Sequence, residues 1–206
     1  MNDFGVNWAR EQGAKVIRLA TEETNTAARA QVEKLGYRSV ARFVLAIRNL
    51  ETKGSLGSGP GSNGGRRLTG TERLDLAPSA EAEPAYLVWS TGDHARVGHQ
   101  LYAYEGWSFR SLRTADLVAA AKARNLWTSP SAWVVMDEED GEIWVSLFVT
   151  TIEDADRAVT ALIDLAQERG AVRLAVMIPR IDWLEEALGR QRFEMLHPNF
   201  IYEKPL

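Results

Sequence analysis

Apolar and polar positions run through the same sequence of elements twice in this chain. Asp3 to Gln12 has the spacing of an amphipathic helix, and Gly13 stops it, since glycine takes the left-handed backbone that closes a helix. Lys15 to Ala20 predicts a strand, Thr24 or Asn25 caps a helix that runs to about Leu35, and Gly36 ends it. Tyr37 to Ile47 predicts a second strand. Much further on, Glu153 to Arg169 predicts an amphipathic helix closed by Gly170, followed by a buried strand, Val172 to Ile178. A helix from Ile181 to about Arg190 comes next, and Phe193 to Lys204 predicts one or two closing strands. Ala9-Arg-Glu-Gln-Gly-Ala14 aligns with Ala166-Gln-Glu-Arg-Gly-Ala171 at an offset of 157, and Tyr37 with Phe193 at 156. Two helices and two strands in register predict an internal repeat.

The stretch between the copies changes character along its length. Residues 53–70 hold 7 of the 16 glycines, with three serines, and offer little apolar surface to offset ordering, so they predict a flexible linker. The Ala/Glu/Pro-rich run to Pro84 extends it. Beyond it we expect a strand near Tyr86–Ser90, a helix capped by Thr114 that reaches Arg124, and a long hairpin. The hairpin pairs Leu126–Met136 with Glu142–Thr151 around an Asp-Glu-Glu-Asp-Gly turn, and Trp127 and Trp133, six apart, share a strand face. The organisation is therefore 1–50, a linker over 51–84, and 85–206. Fifty residues cannot close a core alone. Either the chain is the tail of a longer protein, or strands 15–20 and 37–47 complete a sheet within the chain or in a homodimer.

Composition narrows the chemistry. The formal net charge is −4, without the basic footprint a nucleic-acid binder needs. No apolar run is long enough to span a membrane and no secretion signal opens the chain, so a cytoplasmic protein is expected. The chain has no cysteine, which excludes disulfides, thiolate metal sites and cysteine nucleophiles. His94 and His99 stand five apart, a spacing that fits no zinc pair. No metal site is predicted.

Trp8-Ala-Arg-Glu-Gln-Gly-Ala-Lys-Val-Ile-Arg-Leu-Ala-Thr21, then Asn25-Thr-Ala-Ala28 and Glu33-Lys-Leu-Gly-Tyr37, resembles the C-terminal half of a GNAT-family N-acetyltransferase. Residues 85–206 resemble a whole, degenerate GNAT domain more loosely, and the two together are similar to tandem GNAT proteins. The resemblance implies a mixed α+β fold, a central mixed sheet flanked by helices, with a partial second copy at the N-terminus. It implies transfer of acetyl from acetyl-CoA to a primary amine on a small molecule or a protein. In such enzymes the pantetheine arm lodges between two splayed parallel strands, here Glu142–Thr151 and Val172–Ile178. The pyrophosphate sits on a helix N-terminus reached through a glycine-rich turn. By the same resemblance, Asn25 and Ala28 in one copy and Thr150 and Thr151 in the other are the cofactor-binding candidates.

Both copies depart from the family pattern. Thr150-Thr-Ile-Glu-Asp-Ala-Asp-Arg157 has no glycine and carries three carboxylates, which repel a polyanion at a helix start. Val32 and Leu188 stand where the family has its acid tyrosine. Glu22 and Glu23 lie at a strand's C-terminal end, where ligand sites gather in α/β sheets, and Glu105 lies in an aromatic cluster. Tyr102, Tyr104 and Trp107 in that cluster are substrate-pocket candidates. The alternative function is a non-catalytic GNAT-fold module for dimerisation or small-ligand binding.

Overall fold

A computed structural model describes residues 3–50, 72–104 and 106–206. In chain order the elements are α1 (Asp3–Glu11), β1 (Val16–Glu22), α2 (Thr26–Lys34) and β2 (Arg38–Asn49), then β3 (Asp75–Leu76) and a short 3-10 turn leading into α3 (Ala82–Thr91). There follow α4 (Asp93–Val97), β4 (Leu101–Tyr104), β5 (Ser108–Ser111), α5 (Thr114–Lys122), β6 (Leu126–Ser129), β7 (Ala132–Glu139) and β8 (Glu142–Thr150). The chain closes with α6 (Ala155–Glu168), β9 (Arg173–Pro179), α7 (Asp182–Arg190), β10 (Glu194–Met195) and β11 (Asn199–Pro205). This is the mixed α+β architecture that the resemblance implies. Gly13, Gly36 and Gly170 all have positive φ, which is why the preceding helices stop there.

One mixed sheet runs in the order β1-β11-β2-β9-β8-β7-β6-β3, with β10 on β2, and β4–β5 form a separate hairpin. Helices α6 and α7 cover one face through Val44, Val145, Leu162, Val176 and Leu188. The hairpin and helices α3, α4 and α5 cover the other. The two similar stretches interleave. β2 pairs with β9 from Asn49↔Arg173 to Phe43↔Pro179. β11 pairs with β1 from Pro205↔Val16 to Asn199↔Glu22. Adding the sequence offsets to one ladder reproduces the other, so each stretch lends its last strand to the other's sheet. Strands 15–20 and 37–47 thus find their partners within the chain.

Three expectations change. Residues 86–90 lie in helix α3, not a strand, because Ala82, Ala85 and Trp89 share its buried side at helical spacing. The long hairpin has three strands: the turn at Pro130 separates β6 from β7, which pair from Ser129↔Ala132. Trp127 and Trp133 consequently face opposite sides of the sheet, one against the α6–α7 core and the other against the α3–α5 core. Leu74 and Ala77, placed in the linker by composition, are buried, and Asp75–Leu76 pairs with β6. The glycine-rich residues 53–70 lie outside the described residues.

Candidate functional site

Strands β8 and β9 are the parallel neighbours of the sheet. They are hydrogen-bonded only from Glu142↔Arg173 to Val145↔Val176 and then separate. A bulge drives the separation. On β7, Val135 faces Leu147 and Met136 faces Val145, so Ser146 is the extra residue. An extra residue bends its strand and flips the side-chain alternation. Ile143 and Val145 accordingly point to the α6–α7 core, whereas Leu147 and Val149 point to the α3–α5 side. The result is a wedge opening toward the N-termini of α6 and α7, the end of a sheet where ligands collect.

The chain fills that wedge itself. Helix α4 is held between Gly92 and Gly98. A Cβ at Gly98 would lie 2.6 Å from the His94 carbonyl oxygen and 3.3 Å from the Pro179 side chain, so only glycine lets the turn come this close to β9. His94 is 2% exposed, and its Nε2 lies 3.0 Å from the Thr150 carbonyl oxygen and 3.4 Å from the Thr150 N–H; in the tautomer protonated at Nε2 it donates to the shorter of these, the carbonyl. The Trp183 ring packs edge-on against His94 at 5.7 Å. Trp183 Nε1 donates to Asp93 Oδ2 at 2.9 Å, and Arg96 pairs with the same carboxylate. The Trp183 and Arg96 hydrogen bonds hold the Asp93 pKa below its usual value. Burial pushes the His94 pKa down, only partly opposed by the Thr150 hydrogen bond and the Asp93 charge, so the ring is a neutral plug.

At the wedge mouth, Asp154 stands at the start of α6, accepts from Thr151 Oγ1 and pairs with Arg157. Arg190 grips Asp156 through two hydrogen bonds of 3.0 and 3.1 Å. The cations nearest this helix start are therefore already matched by carboxylates. Thr150 Oγ1 donates to the Ser131 carbonyl at 2.7 Å, tying β8 to the β6–β7 turn.

The other candidates fall into separate places. Asn25 caps α2, its Oδ1 accepting from the Ala28 N–H at 3.1 Å. Glu22 ends β1, paired across the ladder with Asn199. Glu23 anchors the next turn through backbone bonds to Pro198 and Arg29, with its carboxylate 3.8 Å from Arg42. Glu105 lies outside the described residues. Tyr102 and Tyr104 line one cavity of about 280 Å3 under the β4–β5 hairpin, together with Arg110, Asp116 and Ser146. Trp107 is not part of it. Its ring is half exposed and packs edge-on against Trp144 at 6.5 Å. Sequence reasoning weighs His94 only as a metal ligand and does not single out Trp183 or Arg110. The one signal was the Gly92…Gly98 bracket around an Asp-His pair, which spacing alone does not distinguish from a loop.

The fold recurs in solved structures. A GCN5-related N-acetyltransferase from Sphaerobacter thermophilus superposes with a TM-score of 0.58 at 12% identity, covering 98% of this chain and 66% of that one. A GCN5-related N-acetyltransferase from Kribbella flavida gives 0.53 at 15% identity, covering 98% of this chain and 45% of that one. The chain has the GNAT fold. A functionally unknown conserved protein from Staphylococcus epidermidis shares it, with a TM-score of 0.56 at 10% identity and coverages of 98% and 77%. This GNAT-fold chain spans less than two thirds of the length of the first two structures. No protein-family model and no curated protein matches its sequence. Acetyl-CoA does not fit the residues of the β8–β9 wedge: a histidine already takes the β8 carbonyl, and carboxylates line the helix start. Among the described residues, no helix is long and apolar enough to cross a membrane, and no three metal-ligating side chains converge.

Proposed function

We propose that the chain serves a GNAT-type N-acetyltransferase, one that transfers acetyl from acetyl-CoA to a primary amine, and that its β8–β9 wedge is the non-catalytic one. The observation behind this reading is His94, buried and bonded to the Thr150 carbonyl. A cofactor arm threading between β8 and β9 would have to displace that ring, desolvating polar groups that are already satisfied. The matched ladders of β1–β11 and β9–β2 support reading 1–50 and 155–206 as copies of one unit. On that reading the equivalent wedge lies beside β1. There α2 starts with Asn25 and Ala28, and a strand from a second copy or another segment would supply the other wall.

Calorimetric titration with acetyl-CoA tests this. Saturable binding that Ala28→Glu abolishes and His94→Ala leaves unchanged is the expected pattern. Binding that strengthens in His94→Ala and ignores Ala28→Glu would move the cofactor into the β8–β9 wedge and overturn the assignment. An absence of heat up to millimolar cofactor favours the second reading, a non-catalytic GNAT-fold module. The neutral plug in the wedge is the observation that keeps that reading in play.

A further inference from the structure

The cavity beneath the β4–β5 hairpin has a chemistry that the wedge lacks. Its walls are apolar, with Leu112 and Leu117 on one side and Val135 on the sheet side. At one end, Arg110 lies 3.3 Å over the Tyr104 ring. Its Nε donates to the Tyr102 hydroxyl at 2.9 Å and its Nη2 to Asp116 Oδ1 at 3.0 Å. Asp116 is fully engaged, its Oδ2 accepting from the Arg113 N–H at 2.8 Å. Among the described residues two roles remain open at this end: the Nη1 edge of Arg110, and the proton of the Tyr102 hydroxyl, which serves only as an acceptor there. Burial raises the Tyr102 pKa, so that oxygen keeps its proton. A guanidinium edge beside an O–H donor is a carboxylate-binding arrangement.

The opposite end carries the opposite sign. Asn125 and Asp137 close the cavity there, Asn125 Nδ2 donating to Asp137 Oδ1. Asp137 also borders an outer crevice of about 600 Å3 that it shares with Glu139, Asp140, Glu142 and Trp144. Helix α5 forms one wall of the cavity, from Asp116 in its first turn to Ala123 just past its last residue, a length of about 10 Å at 1.5 Å per residue. The helix dipole reinforces the division, favouring an anion near Asp116 and Arg110 and a cation near Asn125 and Asp137.

We propose that this cavity binds a small zwitterion of about dipeptide length, its carboxylate on Arg110 and Tyr102, its ammonium at Asp137, and an apolar side chain against the α5 wall. Two extended residues span about 7 Å, and a hydrogen bond of about 2.9 Å at each end bridges the rest. A free amino acid has the same charges but, at about 3.5 Å, is short for a wall of that length. The site needs no acetyl-CoA, so it stands or falls separately from the acetyl-transfer reading.

Calorimetric titration of the whole chain with L-alanyl-L-leucine, its N-acetyl form, its C-terminal amide and free L-leucine tests the proposal. The dipeptide should bind saturably, and each capped form should bind about tenfold or more weakly, as loss of a charge-assisted contact dictates. Arg110→Gln should make acid and amide equal, and Asp137→Asn should make free and acetylated amine equal. Asp137 is exposed, so its variant keeps the test open should Arg110→Gln disturb the hairpin. An amide that binds as well as the acid, leucine that binds as well as the dipeptide, or no binding by any probe at millimolar concentration overturns it.

Discussion

Leu165 of α6 and Trp8 of α1 occupy matching positions, 157 residues apart, yet Leu165 is 5% exposed and Trp8 is 57% exposed. The contrast extends along both stretches. Helix α6 buries eight side chains and α7 buries three, whereas α2 buries none. Strand β9 is flanked on both sides by β8 and β2, while β1, among the described residues, pairs with β11 alone and forms the end of the sheet. Similar local sequence has produced the same elements in the same register, and what differs is how much of the fold surrounds them. Periodicity determines which element forms. Neighbours determine what that element contributes to stability.

Removing residues 199–206 should have the largest effect on this comparison. β11 lies between β1 and β2, so its loss strips both stretches of a shared ladder, and cooperative thermal unfolding should vanish. A shortened chain that still melts in one sharp transition would show that the interleaving is not needed. Next, Leu165→Ala should cost about 2–5 kcal/mol in denaturant unfolding, as buried leucines do. Trp8→Ala should stay within about 0.5 kcal/mol, as exposed sites do. Equal costs would mean that α1 is covered in solution.

His94→Ala should cost about 1–3 kcal/mol through the orphaned Thr150 carbonyl, and pH should expose the cause. Burial places the His94 pKa below its ordinary value of 6.5, so the unfolded chain binds the proton more readily. Stability is then complete above about pH 6.5 and declines as pH falls toward the folded-state pKa. His94→Asn should flatten this part of the profile, and an unchanged slope would assign the decline elsewhere. The smallest effect expected is that of Asn25→Ala, about 1 kcal/mol from the lost cap of α2, measured as reduced amide protection confined to that helix.

The helices and strands on either side of Gly13, Gly36 and Gly170 were legible because each rests on local physics: periodicity, caps and left-handed glycines. Helix α3 is hidden in the sequence because Tyr86, Val88 and Trp89 are β-formers by type, and the helix shows itself only through its packing against α5. The plug was illegible for a different reason. His94 has meaning only through Thr150 and Trp183, which lie 56 and 89 positions away, and no local pattern encodes such a meeting. The same holds for Arg110, whose partner Tyr102 is eight residues distant across a hairpin that the aromatic run concealed. Trp107, though adjacent in sequence to the cavity's tyrosines, follows Gly106 at φ 70° and turns away from them.

The placement of β11 also bears on how the protein is made. Residues 199–205 fill the gap between β1 and β2, so the strands translated early must wait for the ones translated late. Contacts between positions near 20 and near 200 put this sheet at the slow, long-range end of folding behaviour. Until residues 199–205 clear the ribosome, the edges of β1 and β2 are bare templates for other strands, which makes a stalled or clipped nascent chain a natural client for chaperones and proteases.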